Sequence, residues 1–192
     1  MNRRVVVNGH MSQLAVLADE VGVAERTLRR AAAQGTLHAE RRSPRNLRLA
    51  PGEAAFVRRN WPLIATLRVT LRTEPNVAFA MLFGSMARGD HRADSDVDLL
   101  VVLRDDSLDR LVEIQDRLER ASGKDVDLLT IEGAAENDVL LATAVEEGRV
   151  LVDRAGLWPS LKGEVDDLRE RGERSLRRDR RRALSAIDAF LS

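Results

Sequence analysis

Two uninterrupted apolar runs, Val77 to Phe83 and Leu99 to Leu103, constrain this chain more than anything else in it. Seven apolar residues without alternation describe a strand covered on both faces, which requires a sheet with helices packed against it. Both runs fall far short of the ~18 residues of a membrane span. The expectation is therefore a soluble, cytoplasmic α/β protein with no membrane partner. A hydrophobic share of 44% against 32% charged residues is too apolar for a disordered chain. With no cysteine, disulfides, thiolate catalysis and Cys-based zinc sites are excluded. The 192 residues suffice for one medium domain or two small ones.

The zero net charge conceals a strong division along the chain. Residues 1–60 hold 11 Arg against 5 acids, residues 61–160 hold 11 Lys+Arg against 19 acids, and residues 161–192 hold 9 against 7. A basic head suggests a polyanionic partner, and an acidic middle suggests bound cations or a carboxylate cluster.

In the head, Leu14, Leu17, Ala18 and Val21 follow helical spacing and Gly22 ends the run. A second helix over Val23 to Ala33, stopping at Gly35, turns Leu28 and Ala31/Ala32 inward and presents Arg26, Thr27, Arg29 and Arg30. The stretch from Leu37 to Leu49 reads as two short strands about a Ser-Pro-Arg-Asn turn, with Arg41, Arg42, Arg45 and Arg48 along it. Two helices joined at Gly22 can place the second in a major groove, with the strand pair as a wing. These motifs, Arg26-Thr27-Leu28-Arg29-Arg30, Gly35-Thr36-Leu37 and the basic stretch Arg41 to Arg48, resemble the winged-helix DNA-binding module of MerR-like and excisionase-like regulators. The resemblance implies DNA binding through those arginines; the plainer alternative is a small helical cap whose arginines are solvated.

Pro51 opens a short helix with Phe56 and Val57, and Pro62 opens a new one with Ile64, Leu67 and Leu71 on one face, placing the domain boundary near Asn60. The buried strand that follows runs directly into Gly84-Ser85-Met86-Ala87-Arg88-Gly89, and then, after five residues, Ser95-Asp96-Val97-Asp98-Leu99. Glycine at the end of a buried strand lets the backbone approach a ligand, and the amides and hydroxyl at Ser85 can hold phosphate. Asp96 and Asp98, two apart on a strand, point to one face. Such a pair repels itself unless a divalent cation intervenes, and oxygen ligands suit Mg²⁺ or Mn²⁺. A helix with Leu108, Leu111, Ile114 and Leu118 inward, closed by Gly123, leads to a further strand, Asp125 to Ile131. Pairing beside the first acidic strand would let Asp127 complete a three-carboxylate cluster and act as base.

The Gly-Ser pair, Ala-Arg-Gly and Ser-Asp-x-Asp-Leu resemble the signature of the nucleotidyltransferase superfamily related to DNA polymerase β, in particular its minimal bacterial and archaeal members. The resemblance covers roughly residues 62–153, with every motif position filled. It implies a small mixed sheet flanked by helices, a nucleoside triphosphate such as ATP as substrate, Gly84 and Ser85 on the triphosphate, and Asp96 and Asp98 on both metal ions. Asp127 would be the third carboxylate, with Asp125 competing for that role; Arg88 either touches phosphate or braces the loop. An acceptor hydroxyl, on a protein side chain or a tRNA end, would attack the α-phosphorus and release pyrophosphate. Minimal members often belong to toxin–antitoxin modules, where a DNA-binding head would suit autoregulation. Two rivals stand: a transcriptional regulator whose nucleotidyltransferase domain only senses a nucleotide, and an aminoglycoside-type small-molecule transferase.

Residues 134–147 read as one helix ended by Gly148, and Arg149 to Asp153 as a last strand. In the tail, Leu161, Val165 and Leu168 and then Leu176, Ala183, Ile187 and Phe190 keep helical spacing, interrupted by Gly172. Homodimerisation and packing on the same chain are both open for these helices. His10, His38 and His91 are isolated, His91 alone lying between the two chemical motifs, and Trp61 and Trp158 are read as packing anchors. The division expected is a winged helix-turn-helix domain over 1–60, a nucleotidyltransferase domain over 61–154 and a helical extension over 155–192.

Overall fold

A computed structural model describes residues 12–41 and 47–191, with the side chains of 41 and 179–191 outside that description. The chain divides into two compact units, residues 1–62 and 63–192.

The first unit opens with α1 (Gln13–Glu20) and α2 (Glu25–Ala33). Ser12 caps α1 by accepting the Ala15 N–H, satisfying one of the orphan donors of the first turn. Gly22, at φ +70°, makes the turn between the helices. The strands β1 (Ala39–Arg41) and β2 (Leu47–Leu49) pair antiparallel, with Glu40 opposite Arg48. Leu14, Leu17, Leu28, Leu37 and Val57 are among the buried residues, each such side chain contributing roughly 2 kcal/mol. Glu53, buried at the start of α3 (Glu53–Arg72), accepts the His38 backbone N–H at 3.1 Å, and Arg58 on the same helix pairs with Glu20 at 2.9 Å.

The helix α3 corrects the sequence reading, because it runs unbroken through Pro62, expected to start a new helix. The ring removes one hydrogen bond from a helix of 20 residues, and the remaining ladder carries the chain through.

The second unit is built on a four-stranded mixed sheet in the order β5-β4-β3-β6. The strands are β3 (Val77–Leu82), β4 (Val97–Leu103), β5 (Val126–Thr130) and β6 (Arg149–Asp153). The pairs β3–β4 and β3–β6 are antiparallel and β4–β5 is parallel. Between them come α4 (Gly84–Arg88), α5 (Leu108–Ser122), α6 (Ile131–Ala135) and α7 (Asp138–Glu147), followed by α8 (Trp158–Gly163) and α9 (Val165–Leu191). Phe79, Met81, Leu100 and Val150 form one core face with Leu141, Ala142 and Val145 of α7 and Leu168 of α9, and Trp158 packs against that cluster. The alternate residues Ala80, Leu82, Leu99 and Val101 are buried as well, as strands covered on both faces require.

Two further expectations change. The helix read over 134–147 is two helices, because Asn137 breaks the run and caps α7 by accepting the Val139 and Leu140 N–H groups. Gly172 does not interrupt α9; it is the point where α9 meets α7, and a Cβ there would stand 2.6 Å from Val139 Cγ2. The first half of the tail thus packs on its own chain; Ala183, Ile187 and Phe190 lie beyond the described side chains. Among the described residues no helix is long and apolar enough to cross a membrane.

At the end of the sheet away from Gly84, Arg154 donates to the carbonyls of Arg72 at 2.7 Å and Glu74 at 2.9 Å, closing the C-terminus of α3. The buried Glu74 carboxylate accepts from Arg110 and Arg117 of α5, each at 3.3 Å. These ties hold α3 and α5 to the sheet.

Candidate nucleotidyltransferase site

The sheet brings the acidic residues together through strand register. Asp98 on β4 and Asp127 on β5 are direct partners in the parallel pairing. Asp96 lies just ahead of β4, two residues before Asp98, and its charge acts on the Asp98 carboxyl. Asp98 is half-buried, while Asp96 and Asp127 are exposed. Burial, then Asp127, then Asp96 push the Asp98 carboxyl above its usual value, and Arg88 opposes them. Asp125 does not figure among the charges acting on Asp98, and its backbone carbonyl accepts the Val97 N–H at 2.9 Å. Of the two acids, Asp127 is the one paired with Asp98 in register and the one whose charge raises its carboxyl. Among the described residues no three acidic or imidazole side chains already stand grouped as a metal cage.

Over this acidic corner sits the Gly-Ser turn. Gly84 begins α4 at φ +69°, and a Cβ built on it would overlap Asp98 Oδ2 and stand 3.2 Å from Asp98 Cγ. Any larger residue would strain the backbone and push the Asp98 carboxylate aside. The Phe83 N–H donates to the Asp98 carbonyl at 3.0 Å, so the turn and the acid are also joined through the backbone. Ser85 is half-buried in the first turn of α4.

Arg88 is exposed, and its guanidinium pairs with Asp90 at 3.1 Å and with Glu147 on α7 at 2.9 Å. The loop to Asp96 is held by Lys124, whose Nζ donates to the carbonyls of Ala93 at 2.9 Å and Ser95 at 3.3 Å. His91 is half-buried in that loop. Arg149 is 3% exposed and donates to the Ala87 carbonyl at 2.6 Å. Sequence reasoning missed Lys124, Glu147 and Arg149. For Arg149 a signal exists: a cation that opens a strand and runs straight into Val-Leu-Val must find an acceptor inside the fold.

In the first unit, Arg26, Thr27 and Arg30 are exposed on α2. Arg29 is held by Glu25, with Nε to Oε1 at 2.9 Å, and Arg48 is exposed on β2 opposite Glu40. The Arg41 side chain is not described, and Arg42 and Arg45 lie outside the described residues.

Residues 65–156 match the polymerase beta nucleotidyltransferase family. No curated protein matches the chain. Several solved structures are similar over about two thirds of it. They include a toxin–antitoxin complex with AMP-PNP at 23% identity, covering 67% of this chain and 98% of that one, with a TM-score of 0.43. The MntA–HepT toxin–antitoxin is similar at 19% identity, with 69% and 99% covered and a TM-score of 0.42. A tri-AMPylated Shewanella oneidensis HEPN toxin in complex with the MNT antitoxin is similar at 19% identity, with 69% and 99% covered and a TM-score of 0.43. With TM-scores below 0.5, these likenesses say nothing about partners, and the assignment rests on the sequence match. The acidic carboxylates and their Gly-Ser turn therefore lie within the stretch, residues 65–156, that is similar to the polymerase beta nucleotidyltransferase family.

Proposed function

We propose that this chain transfers a nucleoside monophosphate from a nucleoside triphosphate to an acceptor hydroxyl, with Asp96, Asp98 and Asp127 as the catalytic carboxylates. The observation that carries the reading is the register that sets Asp127 opposite Asp98, beside a glycine whose Cβ would collide with the Asp98 carboxylate. The donor set fits a hard divalent cation, since it is all oxygen and the Asp98 carboxyl already feels two neighbouring negative charges. Asp96 and Asp98, with Asp127, would hold Mg²⁺ or Mn²⁺. When bound, such an ion neutralises triphosphate charge and stabilises the charge that develops at the α-phosphorus.

The chain's own residues do the rest. Gly84 allows the backbone to pass close to the phosphates, and the Ser85 amide and hydroxyl supply donors to them. Arg88, tied to Glu147 and Asp90, braces the turn. Asp127 accepts the proton of the acceptor hydroxyl as its oxygen bonds to the α-phosphorus. The bond from that phosphorus to the bridging oxygen breaks, and pyrophosphate leaves with the electron pair. The acceptor is a protein side chain or a tRNA end, and the toxin–antitoxin setting follows from the resemblance to minimal nucleotidyltransferases. Supplying the wild-type chain with α-labelled triphosphate, Mg²⁺ and host lysate, then separating protein from RNA, identifies which acceptor carries the label. Metal-dependent nucleotide binding with no labelled product in any fraction would favour a nucleotide-sensing regulator.

The head is assigned to DNA. Two short helices followed by a pair of antiparallel strands support the winged-helix reading, and Arg26, Thr27 and Arg30 are exposed on the second helix. Arg29, Arg41, Arg42, Arg45 and Arg48 complete the basic set assigned to it. Replacing Arg26 and Arg30 together by alanine should weaken duplex binding roughly tenfold or more at moderate salt and flatten its salt dependence. An unchanged affinity and salt slope in a filter-binding titration would return the head to a structural cap.

A further inference from the structure

The helix that carries Gly84 and Ser85 has only five residues, far too few to hold its own shape in water. Something outside it must fix where the turn stands relative to Asp98. Two residues at the junction of α7 and β6, on either side of a glycine, reach it. The buried Arg149 donates its Nε–H to the Ala87 carbonyl at 2.6 Å, across 62 residues of sequence. Glu147 accepts from Arg88 at 2.9 Å. Gly148 lies between them, buried, and a Cβ there would overlap both the Ala144 carbonyl and Met81 Sδ. The two contacts are therefore set from a segment that is itself pinned between α7 and the central strand. A cation at the last carbonyls of a helix and an anion on its last side chain leave the helix little freedom to rotate or slide.

We propose that Glu147–Gly148–Arg149 is the positioning element of the Gly84–Ser85 turn, holding it at the distance from Asp98 that nucleotide binding requires. The proposal deepens the nucleotidyltransferase reading, and its nucleotide arm rests on that reading. These residues touch no substrate. They act through Ala87 and Arg88, as supports that keep reacting groups in register do elsewhere.

The test uses the full chain with Glu147→Gln, Arg149→Lys and Arg149→Met, and Arg154→Ala as a control. Arg154 makes comparable carbonyl bonds at the opposite end of the sheet. Two quantities are read: amide hydrogen exchange at residues 85–89 without ligand, and affinity for a non-hydrolysable triphosphate analogue with Mg²⁺. Glu147→Gln breaks an exposed ion pair, so its melting temperature should stay within about 2 °C of wild type. It should nonetheless speed exchange at 85–89 several-fold, leave 126–130 unchanged, and weaken the analogue about fivefold or more. Arg149→Lys should fall between wild type and Arg149→Met. Arg154→Ala should lower the melting temperature while leaving both readouts of the turn at wild-type values. Wild-type exchange at 85–89 in both Glu147→Gln and Arg149→Lys overturns the proposal. A loosened turn in a protein whose wild type binds no triphosphate upholds the positioning role and overturns the nucleotide reading instead.

Discussion

Asp98→Asn should cost roughly a thousandfold in nucleotidyl transfer and, in metal-free buffer at neutral pH, make the protein melt higher. The two effects have one origin. Burial and the charges of Asp127 and Asp96 hold the Asp98 carboxyl above its usual value in the folded protein. A carboxyl whose folded value exceeds its unfolded one binds its proton more tightly when folded. Its stabilising contribution is complete below the unfolded value, near 3.8, and is lost as pH rises through the folded one. At neutral pH the ionised group is a net burden on the fold, and the amide removes it. Thermal unfolding should show a gain of roughly 2 °C or more for Asp98→Asn at pH 7, shrinking towards pH 4. Adding Mg²⁺ should raise the wild-type melting temperature and leave the variant's nearly unmoved. A variant that melts lower than wild type across this range would contradict the electrostatic account of the site.

Gly84→Ala should lose on the order of a hundredfold in transfer while still folding. The left-handed φ of +69° costs an alanine ~1 kcal/mol, and the new methyl displaces the Asp98 carboxylate. Gly123→Ala separates these contributions. Gly123 has nearly the same φ, +68°, and a methyl group added there would meet nothing within 4 Å. Both variants should unfold at lower temperature by similar amounts, and only Gly84→Ala should lose activity. Equal loss of activity in the two would mean that backbone strain, and not the collision with Asp98, is responsible.

The Gly-Ser turn and the acidic strand were readable because their signals are local. The run Val77 to Phe83 ends at a glycine, and Asp96 and Asp98 stand two apart just ahead of the run Leu99 to Leu103. That Asp127 stands directly opposite Asp98 was not readable, since it depends on the register of β5 against β4, which no spacing within either strand specifies. The same limit hid Arg149, whose acceptor at Ala87 lies on a different element. Pro62 and Gly172 misled for a related reason. Each is a helix breaker by local preference, yet α3 tolerates the missing donor and α9 needs the missing side chain to approach Val139. Asn137 could have been recognised as a cap from its position ahead of the apolar run Val139 to Leu141, but the apolar pattern on either side of it reads through the break.

The central claim is that the carboxylates at the sheet edge transfer nucleotides. Its most direct test measures pyrophosphate released from labelled triphosphate, together with label retained on macromolecules, for the wild-type chain and for Asp96→Ala/Asp98→Ala in the presence of Mg²⁺ and host lysate. The account predicts equal amounts of pyrophosphate and retained label from wild type, both falling to background in the double variant, whose duplex DNA affinity stays unchanged. Label and pyrophosphate that persist undiminished in the double variant would contradict it.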